Sequence, residues 1–120
     1  MLDFFDHPSF ERERAALTRR FSEFENATDN LKRLFEVQFH PTEPRLVIGP
    51  GKIHCLKNYG TYALWKVEMS VKGLKNNQCP RVWFGVQGIK VAFLCVRTHI
   101  DNYDDNGVSD SAETRLNEIF

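Results

Sequence analysis

Cysteine is scarce and dispersed in this 120-residue chain. Cys55, Cys79 and Cys95 are odd in number, far apart and without a C-x-x-C pair, which excludes a disulfide framework and a zinc ribbon. Cys55 and Cys95 read as small apolar strand residues, and no local pattern links a cysteine nucleophile to His54 or His99 as its base. Long apolar runs are also missing. Nothing approaches the roughly twenty residues of a membrane helix, so no membrane partner is expected. The start, Met1-Leu2-Asp3-Phe4-Phe5-Asp6, lacks the basic end and apolar core of a signal peptide, and a cytoplasmic protein is expected. There is no internal repeat, no low-complexity tract and no boundary that leaves either half its own core, so residues 1–120 read as one domain.

Acidic residues are nearly absent from the middle of the chain. Between Arg45 and His99 there are nine Lys or Arg and one carboxylate, Glu68. The first forty-four residues carry six basic against nine acidic side chains and Ile100 to Phe120 one against six, which returns the net charge of zero. A basic centre carrying Lys52, His54, Arg81, Arg97 and His99 suits a polyanion such as RNA, whose phosphates bind lysine and arginine.

What is present reads as α+β. Pro8-Ser9 opens a helix to Phe21 with Phe10, Leu17 and Phe21 on its apolar face. A second helix runs from Ser22 through Phe24, Leu31, Leu34, Phe35 and Phe39 and stops at His40-Pro41. His7 and His40 read as polar helix terminators. Beyond Pro41, Pro44, Gly49, Pro50 and Gly51 the pattern alternates. Lys52 to Lys57 puts Ile53 and Cys55 on one face and Lys52 and His54 on the other. Tyr62 to Val71 puts Ala63, Trp65, Val67, Met69 and Val71 opposite Lys66, Glu68 and Ser70. Arg81 to Val86 and Ile89 to Arg97 read as a hairpin across Gln87-Gly88, apolar enough for central strands covered on both faces. Trp65, Trp83, Phe84 and Phe93 are expected mainly as core, with Trp83 sharing the parity of Arg81. In the tail, Asp110 and Glu113 make a capping box for a short, loosely docked helix contacting through Leu116, Ile119 and Phe120. The expected architecture is an N-terminal helical hairpin on a four-stranded, mainly antiparallel sheet.

Five stretches carry a likeness to a known family: Phe10-Glu11-Arg12, Gly51-Lys52-Ile53-His54-Cys55-Leu56, Pro80-Arg81-Val82-Trp83-Phe84-Gly85-Val86, Lys90-Val91-Ala92-Phe93-Leu94-Cys95-Val96 and Thr98-His99-Ile100-Asp101-Asn102-Tyr103. In these the chain resembles the RelE/ParE superfamily of toxins from toxin-antitoxin systems. The resemblance implies either a RelE-like endoribonuclease that cuts messenger RNA without a metal or cofactor, at the ribosome or free of it, or a ParE-like toxin that acts by binding alone. It also implies a cognate antitoxin covering the basic face. RNA cleavage through the ribose 2′-hydroxyl needs a base, cations for the phosphorane and a donor to the leaving 5′-oxygen. By this resemblance His54, Arg81, His99 and Tyr103 are the candidate catalytic residues, and Lys52, Lys57, Arg97 and Trp83 the candidate RNA and phosphate contacts. The chain departs from the family in its neutral total charge, in the long 62–71 strand with its following loop, and in having His54 where a second lysine is expected.

Asn102, Asp104, Asn106, Asp110 and Glu113 fall at positions 1, 3, 5, 9 and 12 of a calcium loop, with Gly107 at position 6. Asn at position 1 and a strand-like segment before it argue instead for a polar turn ahead of the last helix, and the acidic tail equally suits a shield for the basic sheet.

Overall fold

Helix formation at the N-terminal end starts from His7, whose Nδ1 accepts from the Ser9 N–H at 3.1 Å while Pro8 occupies the first helical position. In the computed structural model, which describes Met1–Phe120, helix α1 spans Pro8–Arg20 and α2 spans Phe24–Gln38. Phe24, Ala27, Leu31 and Phe35 form the buried stripe of α2 at helical spacing. His40 closes it, its Nδ1 accepting from the N–H groups of Thr42 and Glu43.

The strands are β1 (Asp3–Asp6), β2 (Ile53–Asn58), β3 (Ala63–Glu68), β4 (Arg81–Gln87) and β5 (Lys90–Arg97), ordered β1-β5-β4-β3-β2 in one sheet. The expected four antiparallel strands are therefore corrected to five in a mixed sheet, because Asp3–Asp6 adds in parallel to β5. Four residues are too few to show an alternation, so nothing in that segment announced a strand. β4 and β5 join through Gly88, whose φ of +58° suits the tight turn. Alternation along β4 puts Phe84 under the N-terminal helices and Trp83 on the other face, and a bulge opposite them on β5 turns both Leu94 and Cys95 to the side of Trp83.

Both faces are covered. On one, Phe10, Phe24, Leu31 and Phe35 pack with Val67, Val82, Phe84 and Phe93, with the Phe35 and Phe84 rings 4.5 Å apart. The apolar alternation of the 62–71 segment holds to Met69 and Val71, both buried there. α1 and α2 touch one another sparingly, through contacts such as Arg14 Nη1 to Glu25 Oε1 at 2.8 Å, and each is turned onto the sheet rather than paired as a close hairpin.

The other face is closed by α3, Asp105–Ile119. The short, loosely docked helix expected after Asp110 is corrected to fifteen residues whose Val108, Ala112 and Leu116 pack on Leu64, Trp83, Ala92 and Leu94. Gly107, Ser109, Asp110 and Ser111 are weak helix formers, so burial of the 108-112-116 stripe holds the helix. The same helix overturns the calcium spacing, since Asn106, Asp110 and Glu113 lie on helical turns rather than around a twelve-residue loop.

A charged clamp ties α1, β5 and α3. Glu13 Oε1 accepts from the Val96 N–H at 3.1 Å and pairs with the Arg97 guanidinium, whose Nη1 stands 2.9 Å away, and Oε2 accepts from Arg115 Nη1 at 2.9 Å. β1 reaches only as far as Phe93 along β5, so Glu13 satisfies a backbone donor on the ladder's uncovered edge.

Candidate functional site

Alternation along β2, β3 and β4 sends one polar set to the same side as α3. In register, His54 lies opposite Lys66, Lys66 opposite Trp83, and Glu68 opposite Arg81. α3 covers Trp83 and the residues beyond it, and touches this corner through Asp105 in its first turn. What remains is a polar cleft of about 170 Å³ lined by Gly51, Lys52, His54, Lys66, Glu68 and Arg81, without an apolar side chain.

Arg81 and Lys52 converge on the single carboxylate of the cleft. Arg81 Nη1 stands 3.0 Å from Glu68 Oε1 and also donates to the Cys79 carbonyl at 2.8 Å. Lys52 Nζ lies 4.0 Å from Glu68 Oε2. Lys66 Nζ reaches Asp105 Oδ1 at 2.9 Å and stands 5.6 Å above the Trp83 ring. His54 Nε2 is 3.2 Å from the Gly51 carbonyl oxygen, which holds the imidazole at the mouth.

The segment after β5 brings in the remaining pair. Thr98 Oγ1 donates to the Gln78 carbonyl at 3.0 Å, and Asp101 is bound to Arg20 at the end of α1, which holds its carboxyl below the usual range. His99, between these anchors, and Tyr103, just after them, have their rings 5.3 Å apart, and Tyr103 meets Trp83 edge to face at 5.9 Å. His99 is shifted downward, first by desolvation, then by the charges of Arg81 and Lys66. Tyr103 is shifted upward, chiefly by burial. Near neutral pH the imidazole is an unprotonated acceptor and the phenol keeps its proton.

An NMR titration of the His99 ring should therefore give a midpoint below 6.5, and Arg81→Gln should raise it. The stability contribution has the corresponding sign: the unfolded chain binds more protons below pH 6.5, so this group destabilises the fold as pH falls from 6.5 through the folded midpoint. A midpoint at or above 6.5 in the wild type contradicts the cationic surroundings described above.

The structure thus gathers Lys52, His54 and Arg81 in one cleft, with His99 and Tyr103 paired outside its lining but within reach of the Arg81 charge. The other three phosphate and RNA candidates are buried or paired with carboxylates outside the cleft. Trp83 is fully buried, its Nε1 donating to Ser109 Oγ at 3.0 Å, and has no ring face left for a base. Lys57 lies at the far end of β2, paired at 2.7 Å with Glu113, whose carboxylate also accepts from Tyr59. Burial, then that carboxylate, push the Tyr59 phenol up to about 12. Arg97 sits across the ladder from Arg81 but gives its charge to Glu13. Cys95 is buried and its thiol is pushed up to about 11, the opposite of an activated nucleophile.

Lys66 and Glu68 belong to the cleft and were not singled out in the sequence. Their signal was present: they share a strand face, and Glu68 is the one carboxylate in the basic centre. The acidic segments fold back on this centre, with Glu13, Asp105 and Glu113 each taking one of its cations. No family model, curated protein or solved structure matches this chain.

Proposed function

We propose that this chain is a RelE-like endoribonuclease that cuts messenger RNA and arrests growth, and that a cognate antitoxin covers its basic face. The observation that carries the reading is the corner itself: Lys52, Lys66 and Arg81 around one small polar cleft, beside an imidazole that is neutral near pH 7 and a phenol that stays protonated.

In the proposed reaction the ribose 2′-oxygen attacks the adjacent phosphorus and the P–O5′ bond breaks, leaving a 2′,3′-cyclic phosphate. His99 takes the 2′-hydroxyl proton. Arg81, Lys52 and Lys66 face the charge that gathers on the equatorial oxygens. Tyr103 or His54 returns a proton to the leaving 5′-oxygen. Glu68 holds Arg81 in place before substrate arrives, and an incoming phosphate displaces the contacts of Arg81 with Glu68 and of Lys66 with Asp105.

A ParE-like binding toxin is the second reading, favoured by the fact that Lys52, Lys66 and Arg81 all already have carboxylate partners. Inducible expression in a bacterium, with the 5′ ends of cellular RNA mapped, separates the two. Growth arrest with new 5′ ends is expected. Arrest with intact RNA transfers the assignment to the binding toxin, and normal growth in the presence of folded protein overturns both.

A further inference from the structure

A groove of about 430 Å³ adjoins the polar cleft and shares Lys52 and Glu68 with it. Its chemistry is different. Leu34 from α2 and Val47 from the strap before β2 form apolar walls, with Ile48 and Met69 beneath, while Asn30 and Ser70 supply polar atoms. Leu34 and Val47 are 41% and 44% exposed, a high value for large aliphatic side chains. Asn30 accepts from Arg33 through Oδ1, which leaves its Nδ2 donor for a ligand.

We infer that this groove is a nucleoside subsite: it receives the base and sugar of the nucleotide whose phosphate lies in the cleft. The inference rests on the RNA-cleaving reading and adds to it a source of base preference. Three features support a nucleotide as occupant. The volume falls within the range of about 300–1,000 Å³ typical of small-ligand pockets. Aliphatic walls with a few hydrogen-bonding groups suit a heterocycle, which has apolar faces and a polar edge. Lys52 and Glu68 line both the groove and the cationic cleft, so a ligand in the groove lies beside the proposed phosphate site, and a phosphate joined to a heterocycle is what a nucleotide presents.

The test is an amide-shift titration of the whole chain with inorganic phosphate and, separately, with each 5′-mononucleotide. Phosphate should move the signals of Lys52, Lys66 and Arg81 only, and at least one nucleotide should move Asn30, Val47 and Ser70 in addition. Leu34→Gln, a change at a half-open position that spares the core, should weaken that nucleotide about tenfold and leave phosphate binding unchanged. If nucleotides move no more than phosphate does, or if Leu34→Gln weakens neither, the subsite is wrong and the phosphate cleft stands. If phosphate itself leaves the cleft signals unmoved, the RNA reading fails and the subsite with it.

Discussion

Arg81→Ala should lower the rate of RNA cleavage by about 10²–10³, the usual cost of removing one preorganised donor from a developing oxyanion, and His99→Ala should cost about 10²–10⁴ as the loss of a general base. The two differ in what rescues them. Arg81→Lys should recover part of the loss, because a lysine keeps the charge but not the planar pair of donors. His99→Ala should respond to added imidazole, since a small base diffusing in can accept the proton that the missing side chain accepted. Neither side chain belongs to an apolar core: Arg81 is 21% exposed and His99 lies at the surface, so both variants should melt within a few degrees of the wild type. Arg81→Ala does leave Glu68 with only Lys52 near it, and Arg81→Ala/Glu68→Gln removes that stranded charge as a folding control. Cleavage within tenfold of wild type in a folded Arg81→Ala protein sinks the catalytic assignment.

The shared face of Lys52 and His54 and the parity of Arg81 were legible from a period of two, whereas His99 and Tyr103 were candidates through the family resemblance alone. His54 and Lys52 fell on one side of β2 by alternation, Arg81 on the polar side of β4, and the structure keeps both parities. The charge count pointed the same way, since a single carboxylate among nine cations left little to neutralise the sheet from within. Neutralisation comes from the ends of the chain instead, and pairs such as Lys57 with Glu113 or Arg97 with Glu13 join residues 56 and 84 positions apart, beyond the reach of any local pattern. Trp83 illustrates the same limit. Parity correctly put it on the face of Arg81, but parity does not say that α3 covers that face, and the covering helix makes Trp83 core.

α3 was the element read least well, for a reason that lies in its composition. Its first turns hold Gly107, Ser109, Asp110 and Ser111, which favour turns and caps over helix interiors, and its apolar stripe is a valine, an alanine and a leucine spaced four apart. β1 escaped for a similar reason, being a four-residue edge strand whose partner lies more than eighty residues away. Both depend on β5, the best-patterned strand in the chain, for their place. Where local preference is weak, tertiary burial decides, and such elements are the ones a single substitution should loosen.

Leu116→Ala is that substitution. The Leu116 side chain is fully buried against the sheet, so truncation should cost about 2–5 kcal/mol, the range for a buried leucine, and lower the melting temperature by roughly 6–25 °C for a domain of this size. The partner surface is Gly85, where a methyl group would overlap Leu116 Cδ1 and stand 3.1 Å from Phe120 Cε2. Gly85→Ala alone should therefore also destabilise, by about 1–3 kcal/mol, as an overpacked contact. The double variant Gly85→Ala/Leu116→Ala should be more stable than the sum of the two losses allows, because the methyl then fills the space the leucine vacated. Strict additivity would show that α3 does not pack on the sheet through this contact. Function should follow stability, since the first two turns of α3 carry Asp105 against Lys66 and Ser109 against Trp83. Leu116→Ala should accordingly broaden the NMR signals of His99 and Tyr103 before the protein unfolds, whereas the double variant should restore them.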